Sequence, residues 1–308
     1  MRDIARAMAA CALCPRACGV PRTPDGGAGA CGMGSLPVVA RADLHYWEEP
    51  CISGTRGSGA VFFSGCPLRC VFCQNEAISR GGAGQAVDIP RLAQIFAELE
   101  ARGANNINLV SPTHFVPQIL AALRIRKPGI PVIYNTGGYE RVETLRSLAG
   151  WVDVYLPDLK YMDAAIAARY ASAPDYPARA QAALLEMRRQ TGPARYSPDG
   201  LLLRGTLVRH LVLPGLSGQA MRALTWVADH LGSDTPVSLM GQYTPMDAVQ
   251  EDALLGRRLT RGEYERVAAH ARVIGLPGYL QALDAASAAY IPPFDGRGVT
   301  FPPDTAKE

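Results

Sequence analysis

From about residue 58 onward, short apolar runs alternate with amphipathic stretches, and the two periods mark out the elements. Near-continuous runs of aliphatic and β-branched residues predict strands over 60–64, 107–110, 132–135, 152–156, 207–213 and 237–240. Between them, helical spacing predicts helices over 90–102, 116–126, 139–149, 164–171, 176–190, 219–231 and 261–274. In the first of these, Leu92, Ile95, Phe96 and Leu99 share one face. Strands apolar on both sides and separated by helices imply a parallel sheet covered on both faces. About six βα units are too many for a mononucleotide-binding half and too few for a closed eight-stranded barrel. The expected fold is therefore α/β, an open partial (β/α)6 TIM-type barrel. In such an architecture the polar residues just after each strand should form the site.

Residues 1–50 have a different texture, rich in Cys, Gly and Pro, with a loop-like run from Pro21 to Gly27. The domain organisation expected is a small Cys-rich, metal- or cluster-binding extension over 1–50, followed by the barrel over 51–308. A chain of 308 residues is long enough for that plan. The formal charge is only +3, with no run of Lys or Arg, so composition gives no support to a nucleic-acid partner. No apolar stretch approaches the roughly 20 residues that span a membrane, so no membrane partner is expected. The run from Met1 to Cys11 has a lipoprotein-like look. Asp3 and Arg6, however, leave far less than the apolar core of about 7–15 residues that a signal peptide needs. A cytoplasmic protein is expected.

The eight cysteines are Cys11, Cys14, Cys18, Cys31, Cys51, Cys66, Cys70 and Cys73, and none follows Cys73. A disulfide framework would be spread over the fold, and a chain of this size does not need one. Cysteines three and four residues apart in a reducing compartment fit metal or cluster ligands better. The first predicted strand runs into Gly65-Cys66-Pro67-Leu68-Arg69-Cys70-Val71-Phe72-Cys73. Three thiolates at C-x3-C-x2-C wrap three corners of a cubane 4Fe–4S cluster and leave the fourth iron open for chemistry. A three-cysteine zinc site would need a fourth ligand, and no histidine is nearer in sequence than His45 or His114.

This loop, with an aromatic before the third cysteine, resembles the signature of the radical S-adenosylmethionine (SAM) superfamily. Further stretches resemble the PflX-type branch of the pyruvate formate-lyase activating enzyme-like proteins. They are Glu48-Glu49-Pro50-Cys51, Gly57-Ser58-Gly59, Cys11-Ala12-Leu13-Cys14-Pro15-Arg16-Ala17-Cys18, Tyr155-Leu156-Pro157-Asp158-Leu159-Lys160-Tyr161 and Val208-Arg209-His210-Leu211. The resemblance implies that SAM chelates the open iron, that the reduced cluster cleaves it to a 5′-deoxyadenosyl radical, and that this radical abstracts hydrogen. Cys66, Cys70 and Cys73 are then both metal ligands and catalytic.

The remaining site residues follow the strand ends. After 107–110 the activating enzymes carry Gly-Gly-Glu-Pro, whereas this chain has Ser111-Pro112-Thr113-His114, so Ser111 and Thr113 (or His114) stand where SAM-binding groups are expected. Asp158 and Lys160 lie two apart on a strand end and so point to one side, where they either bind a charged ligand or pair with each other. Arg209 interrupts an apolar strand and needs an anion or a carboxylate there. By resemblance, Asn135, Thr136 and Asp158 ligate a monovalent cation near SAM, and Arg209 contacts SAM. Gln242 and Tyr243 are placed to reach the substrate or the adenosine.

Cys11, Cys14, Cys18 and Cys31 supply four thiolates that suit an auxiliary iron–sulfur cluster or zinc, unless they serve unmetallated, and Cys51 reads as a lone buried thiol. The function expected is hydrogen abstraction from a protein or peptide, with an electron donor such as flavodoxin or ferredoxin. A small molecule or RNA substrate is the alternative, and a non-enzymatic iron–sulfur or zinc protein is the third reading.

Overall fold

Asp88 shows how the helices begin. Its carboxylate accepts from the Arg91 N–H at 2.7 Å, Pro90 sits in the first turn, and the helix Ile89–Ala101 follows, burying Leu92, Ile95, Phe96 and Leu99 as their spacing predicts. Thr260 and Glu263 form a reciprocal capping box for the helix Arg261–Val273. The computed structural model describes residues 2–281, 283 and 292–300. Within it the chain divides into two compact units.

The first unit runs to Pro67 and includes Ala77–Asn135 and the described residues 292–300. Its strands Ser58–Phe63, Ile107–Val110 and Val132–Thr136 pair in parallel in that order, each step carrying a covering helix. The strand Val38–His45 adds to Ser58–Phe63 in antiparallel fashion. The strand was not expected, because Arg41 and Asp43 interrupt its apolar pattern. Both charges are buried and matched: Asp43 meets Arg41 at 2.6 Å and also Arg102, while Arg41 reaches Asp295 at 2.8 Å. The 292–300 segment also covers the strand's outer side through Ala42 N to Arg297 O and Gly296 N to Ala40 O.

The second unit comprises Leu68–Glu76 and the described part of the chain from Thr136 up to Gln281 and Leu283. Val154–Pro157 pairs in parallel with Leu202–Thr206. Val208–Leu211 pairs in parallel with Val237–Met240, and that strand pairs with Gly278–Leu280. The strand expected over 207–213 is Val208–Leu211, and the strand just before it, Leu202–Thr206, was not expected and belongs to a different sheet. The exchange happens at Leu207, whose N–H bonds Tyr155 O while the next N–H bonds Pro236 O. Continuous apolar character does not record a change of hydrogen-bonding partner. Among the described residues, no helix is long and apolar enough to cross a membrane.

Candidate cluster and cofactor site

In the first unit the strand Ser58–Phe63 delivers Ser64 and Gly65 to Cys66. Gly65 has a φ of +83°, and a Cβ there would lie 2.3 Å from Met33 Cγ and 2.9 Å from the Cys31 carbonyl oxygen. Only glycine fits that approach. On the other side of Cys66, Arg16 Nε donates to Pro67 O at 2.9 Å. The N-terminal extension therefore grips both neighbours of the first cysteine in the motif.

His114 does not stand in for the missing carboxylate. It is buried, its Nε2 lies 2.7 Å from Ser64 O, and burial drives its pKa down to about 3, with the Arg22 charge adding to the fall. It is a neutral structural histidine. Ser111 keeps a glycine-like geometry with φ of +57°, at a cost of about 1 kcal/mol, and donates its N–H to Asn135 O. Thr113 is buried in a short 3-10 turn. Asn135 Nδ2 donates to Glu48 Oε1 at 3.2 Å, and Asn108 Nδ2 donates to the same oxygen at 3.1 Å. Glu48 is a carboxylate that strand-end reasoning passed over, although the acidic pair Glu48-Glu49 in the loop after a strand is a visible signal.

In the second unit, Cys70 is buried beside charged and polar groups. Tyr161 Oη donates to Cys70 Sγ at 3.6 Å, and Tyr161 is itself fully buried. Burial pushes the Cys70 thiol up, Lys160 works against that rise, and Cys73 adds to it. Phe72 anchors the loop in a cage of Tyr161, Tyr170 and Tyr243, edge-on to each at 6.0–6.5 Å. Val71 N bonds Tyr170 O at 3.0 Å. Arg69 turns the loop with a φ of +52°.

Asp158, Lys160 and Arg209 come together as expected. Lys160 Nζ bonds Asp158 Oδ2, and Arg209 Nε bonds Asp158 Oδ1 at 2.9 Å. Burial alone would raise the Asp158 pKa, but Arg209 and then Lys160 outweigh it and hold the carboxylate below its usual range. Burial would likewise lower Lys160, and Asp158 reverses the direction. Gly138, with φ of +80°, packs so close to Asp158 that a Cβ there would lie 2.2 Å from the Asp158 carbonyl oxygen. Thr136 Oγ1 bonds Glu140 Oε1 at 2.5 Å. Gln242 accepts from Gln74 at its carbonyl and from Gln281 at its side chain, at 3.1 and 2.7 Å. Tyr243 corrects the expectation for it: its hydroxyl is tied to Leu255 O at 2.7 Å and its ring packs on Phe72, so it supports the loop instead of reaching outward.

None of the eight cysteines is joined in a disulfide. In the N-terminal segment, burial pushes Cys31 up, a hydrogen bond from the Met33 backbone and the Arg22 charge oppose this, and Cys11 and Cys18 lie near enough to add to the rise. Cys14 is buried as well. Cys51 is buried, as expected of a lone thiol. Among the described residues, no three His, Cys, Asp or Glu side chains are drawn onto one point as in a formed metal site. The donor set around Cys70 nonetheless fits a sulfur-ligated cluster, since a buried sulfur there meets a hydroxyl donor and an ammonium.

Residues 60–223 match the Radical SAM superfamily model, which covers more than half the chain. The chain belongs to the radical SAM superfamily. That membership implies a 4Fe–4S cluster and SAM, and the α/β fold with an open, parallel barrel-type sheet is the family's. The chain is 29% identical over 234 residues to the uncharacterized protein MJ0674 of Methanocaldococcus jannaschii, covering 72% of this chain and 63% of that relative. The chain therefore spans less than two thirds of that relative's length. Among solved structures it is similar to a radical SAM methyltransferase from Sphaerobacter thermophilus, with 16% identity, a TM-score of 0.50, and 75% and 69% of the two chains covered. It is also similar to Streptococcus suis SuiB bound to the precursor peptide SuiA, with 12% identity, a TM-score of 0.49, and coverage of 72% and 48%.

Proposed function

We propose that this chain reductively cleaves SAM at a 4Fe–4S cluster held by Cys66, Cys70 and Cys73, and abstracts hydrogen from a protein or peptide in the manner of the glycyl-radical activating enzymes. The observation that carries the reading is the setting of Cys70, a buried motif cysteine between the Tyr161 hydroxyl and the Lys160 ammonium. When bound, the cluster and SAM supply one-electron cleavage chemistry, and the protein supplies binding, orientation and exclusion of water.

Two cations against one carboxylate leave Lys160, Arg209 and Asp158 with net positive charge, which suits the carboxylate of SAM. Glu48, held by Asn108 and Asn135, is a carboxylate suited to an ammonium group. Asn135, Thr136 and Asp158 are assigned to a monovalent cation, and Ser111, Thr113 and Gln242 to polar contacts with SAM. The polypeptide substrate rests on the likeness of the strand-end motifs to the activating-enzyme branch. A flavodoxin or ferredoxin is the expected reductant, in a reducing cytoplasm that keeps the cysteines out of disulfides.

The test is anaerobic. The chain is reconstituted with iron and sulfide, reduced with dithionite, and assayed with SAM for 5′-deoxyadenosine. Deuterated candidate peptides are then added. Deuterium carried into 5′-deoxyadenosine supports a polypeptide substrate. Label arriving only from small molecules or RNA would move the assignment to those classes, and a loaded cluster that never cleaves SAM under any of these conditions would end the enzymatic reading.

A further inference from the structure

Beside Cys11 and Cys31 lies a buried cation, Arg22, that meets no carboxylate among the described residues. Arg22 is only 4% exposed. Among the described residues its guanidinium meets the carbonyl oxygens of Met33, Gly34 and His114 at 2.5–3.0 Å, the face of Phe115 at 5.2 Å, and Cys11 Sγ at 3.8 Å. The other buried arginines of this unit are matched differently. Arg41 faces Asp43 and Asp295, and Arg91 holds Glu98. A guanidinium cannot shed its proton, and a buried charge without a counter-charge is costly. Of the groups around Arg22, only the sulfurs are able to carry the negative charge.

Two of the sulfurs also meet backbone donors: Ala30 N–H donates to Cys18 Sγ at 3.4 Å, and the Met33 backbone donates to Cys31. Neighbouring thiolates repel one another unless a cation holds them, and the segment has little regular structure of its own beyond Arg2–Ala9, Arg22–Thr23 and Gly26–Gly27. We propose that Cys11, Cys14, Cys18 and Cys31 hold a tetrathiolate metal centre, zinc or an iron–sulfur cluster, whose negative charge Arg22 compensates.

Loading releases the thiol protons to solvent. A dication or a dicationic cluster core inside four thiolates remains anionic, so either metal satisfies Arg22. Metal binding then draws the sulfurs onto one point and fixes the segment. That segment already touches both neighbours of Cys66, through Met33 and Cys31 at Gly65 and through Arg16 at Pro67. The centre is therefore a support for the first cysteine of the motif. This last consequence rests on the cluster reading above, whereas the metal centre itself does not.

The experiment separates the two. The full chain is made with Cys66, Cys70 and Cys73 all changed to Ala, purified anaerobically, and analysed for zinc, iron and acid-labile sulfide before and after reconstitution with zinc, or with ferrous iron and sulfide. Retained zinc without sulfide identifies a zinc centre, and retained iron with matching sulfide identifies a cluster. Adding Cys14→Ala and Cys31→Ala should remove the metal, and Arg22→Met should weaken it about 10–100-fold against a competing chelator, with Arg22→Lys recovering part of the loss. A folded triple variant that takes up neither metal overturns the proposal, as does metal that survives loss of Cys14 and Cys31. If the triple variant does not fold by circular dichroism, X-ray absorption on the wild-type chain decides. Zinc in all-sulfur coordination, or iron beyond one cluster per chain, is the expected result, and neither being present is the overturning one.

Discussion

The two cysteine groups each sit beside cations, half-buried in one case and buried in the other, and they differ in how the charge is balanced. Around Cys70, Lys160 and Arg209 have a carboxylate of their own, Asp158. Around Cys11 and Cys31, among the described residues, Arg22 has only carbonyl oxygens, a ring and sulfur. Where the protein supplies the counter-charge, a site can exchange a charged ligand without leaving an ion stranded. Where it does not, the charge must be resident, and a permanently bound thiolate centre meets that need. On the two proposals above, one group serves turnover and the other serves structure.

Several changes would break or sharpen this contrast. Cys70→Ala should reduce 5′-deoxyadenosine formation to background while leaving the metal bound by the N-terminal cysteines, read by product assay and elemental analysis. Loss of both would mean that the two groups do not act independently. Asp158→Asn removes the internal counter-charge from Lys160 and Arg209 and should cost about 3–5 kcal/mol in urea unfolding. A change within about 0.5 kcal/mol would show that those cations never relied on Asp158.

Acid should act mainly through histidine. His210 is buried with Nδ1 2.5 Å from Leu159 O, and burial lowers its pKa to about 4, while His114 falls to about 3. In the unfolded chain both protonate near 6.5, so between there and about pH 4 the unfolded state binds more protons. Stability is then fully present above about pH 6.5 and falls with acid by up to about 1.4 kcal/mol per pH unit for each histidine. Unfolding midpoints that stay flat from pH 7 to 5 would contradict this, and His210→Gln should remove one histidine's share of the slope. The smallest effect is expected from Tyr161→Phe, about 1 kcal/mol in stability. Loss of its hydrogen bond to Cys70 should also move the midpoint potential of the cluster to a more negative value in an EPR-monitored titration. An unchanged potential would mean the hydroxyl does not serve the sulfur.

The strands 107–110 and 237–240 and the helix 164–171 appear with the boundaries their patterns predict, because side-chain periodicity is a local property. Val38–His45 was hidden because two charges lie in its middle, and the partners that make those charges burial-compatible, Arg102 and Asp295, are 59 and more residues away. The strand Leu202–Thr206 was hidden for a related reason, since the change of neighbour at Leu207 that separates it from Val208–Leu211 leaves no trace in hydropathy. At the site, Asp158, Lys160 and Arg209 were each legible as polar residues at or beside a strand end. His114 and Tyr243 were legible as polar too, but both turned out to be tied to backbone carbonyls, and no local signal tells an outward polar group from an inward one.

By itself the sequence determined the α/β alternation and the cysteine spacing, because ligands three and four residues apart and side chains at fixed period are set by the covalent chain. Tertiary structure alone decided which carboxylate meets which cation. It brought Arg209 to Asp158 across 51 residues and Arg22 to the backbone of His114 across 92. Charge balance inside a protein depends on neighbours in space, and only the fold shows Arg22 buried against carbonyl oxygens and Cys11.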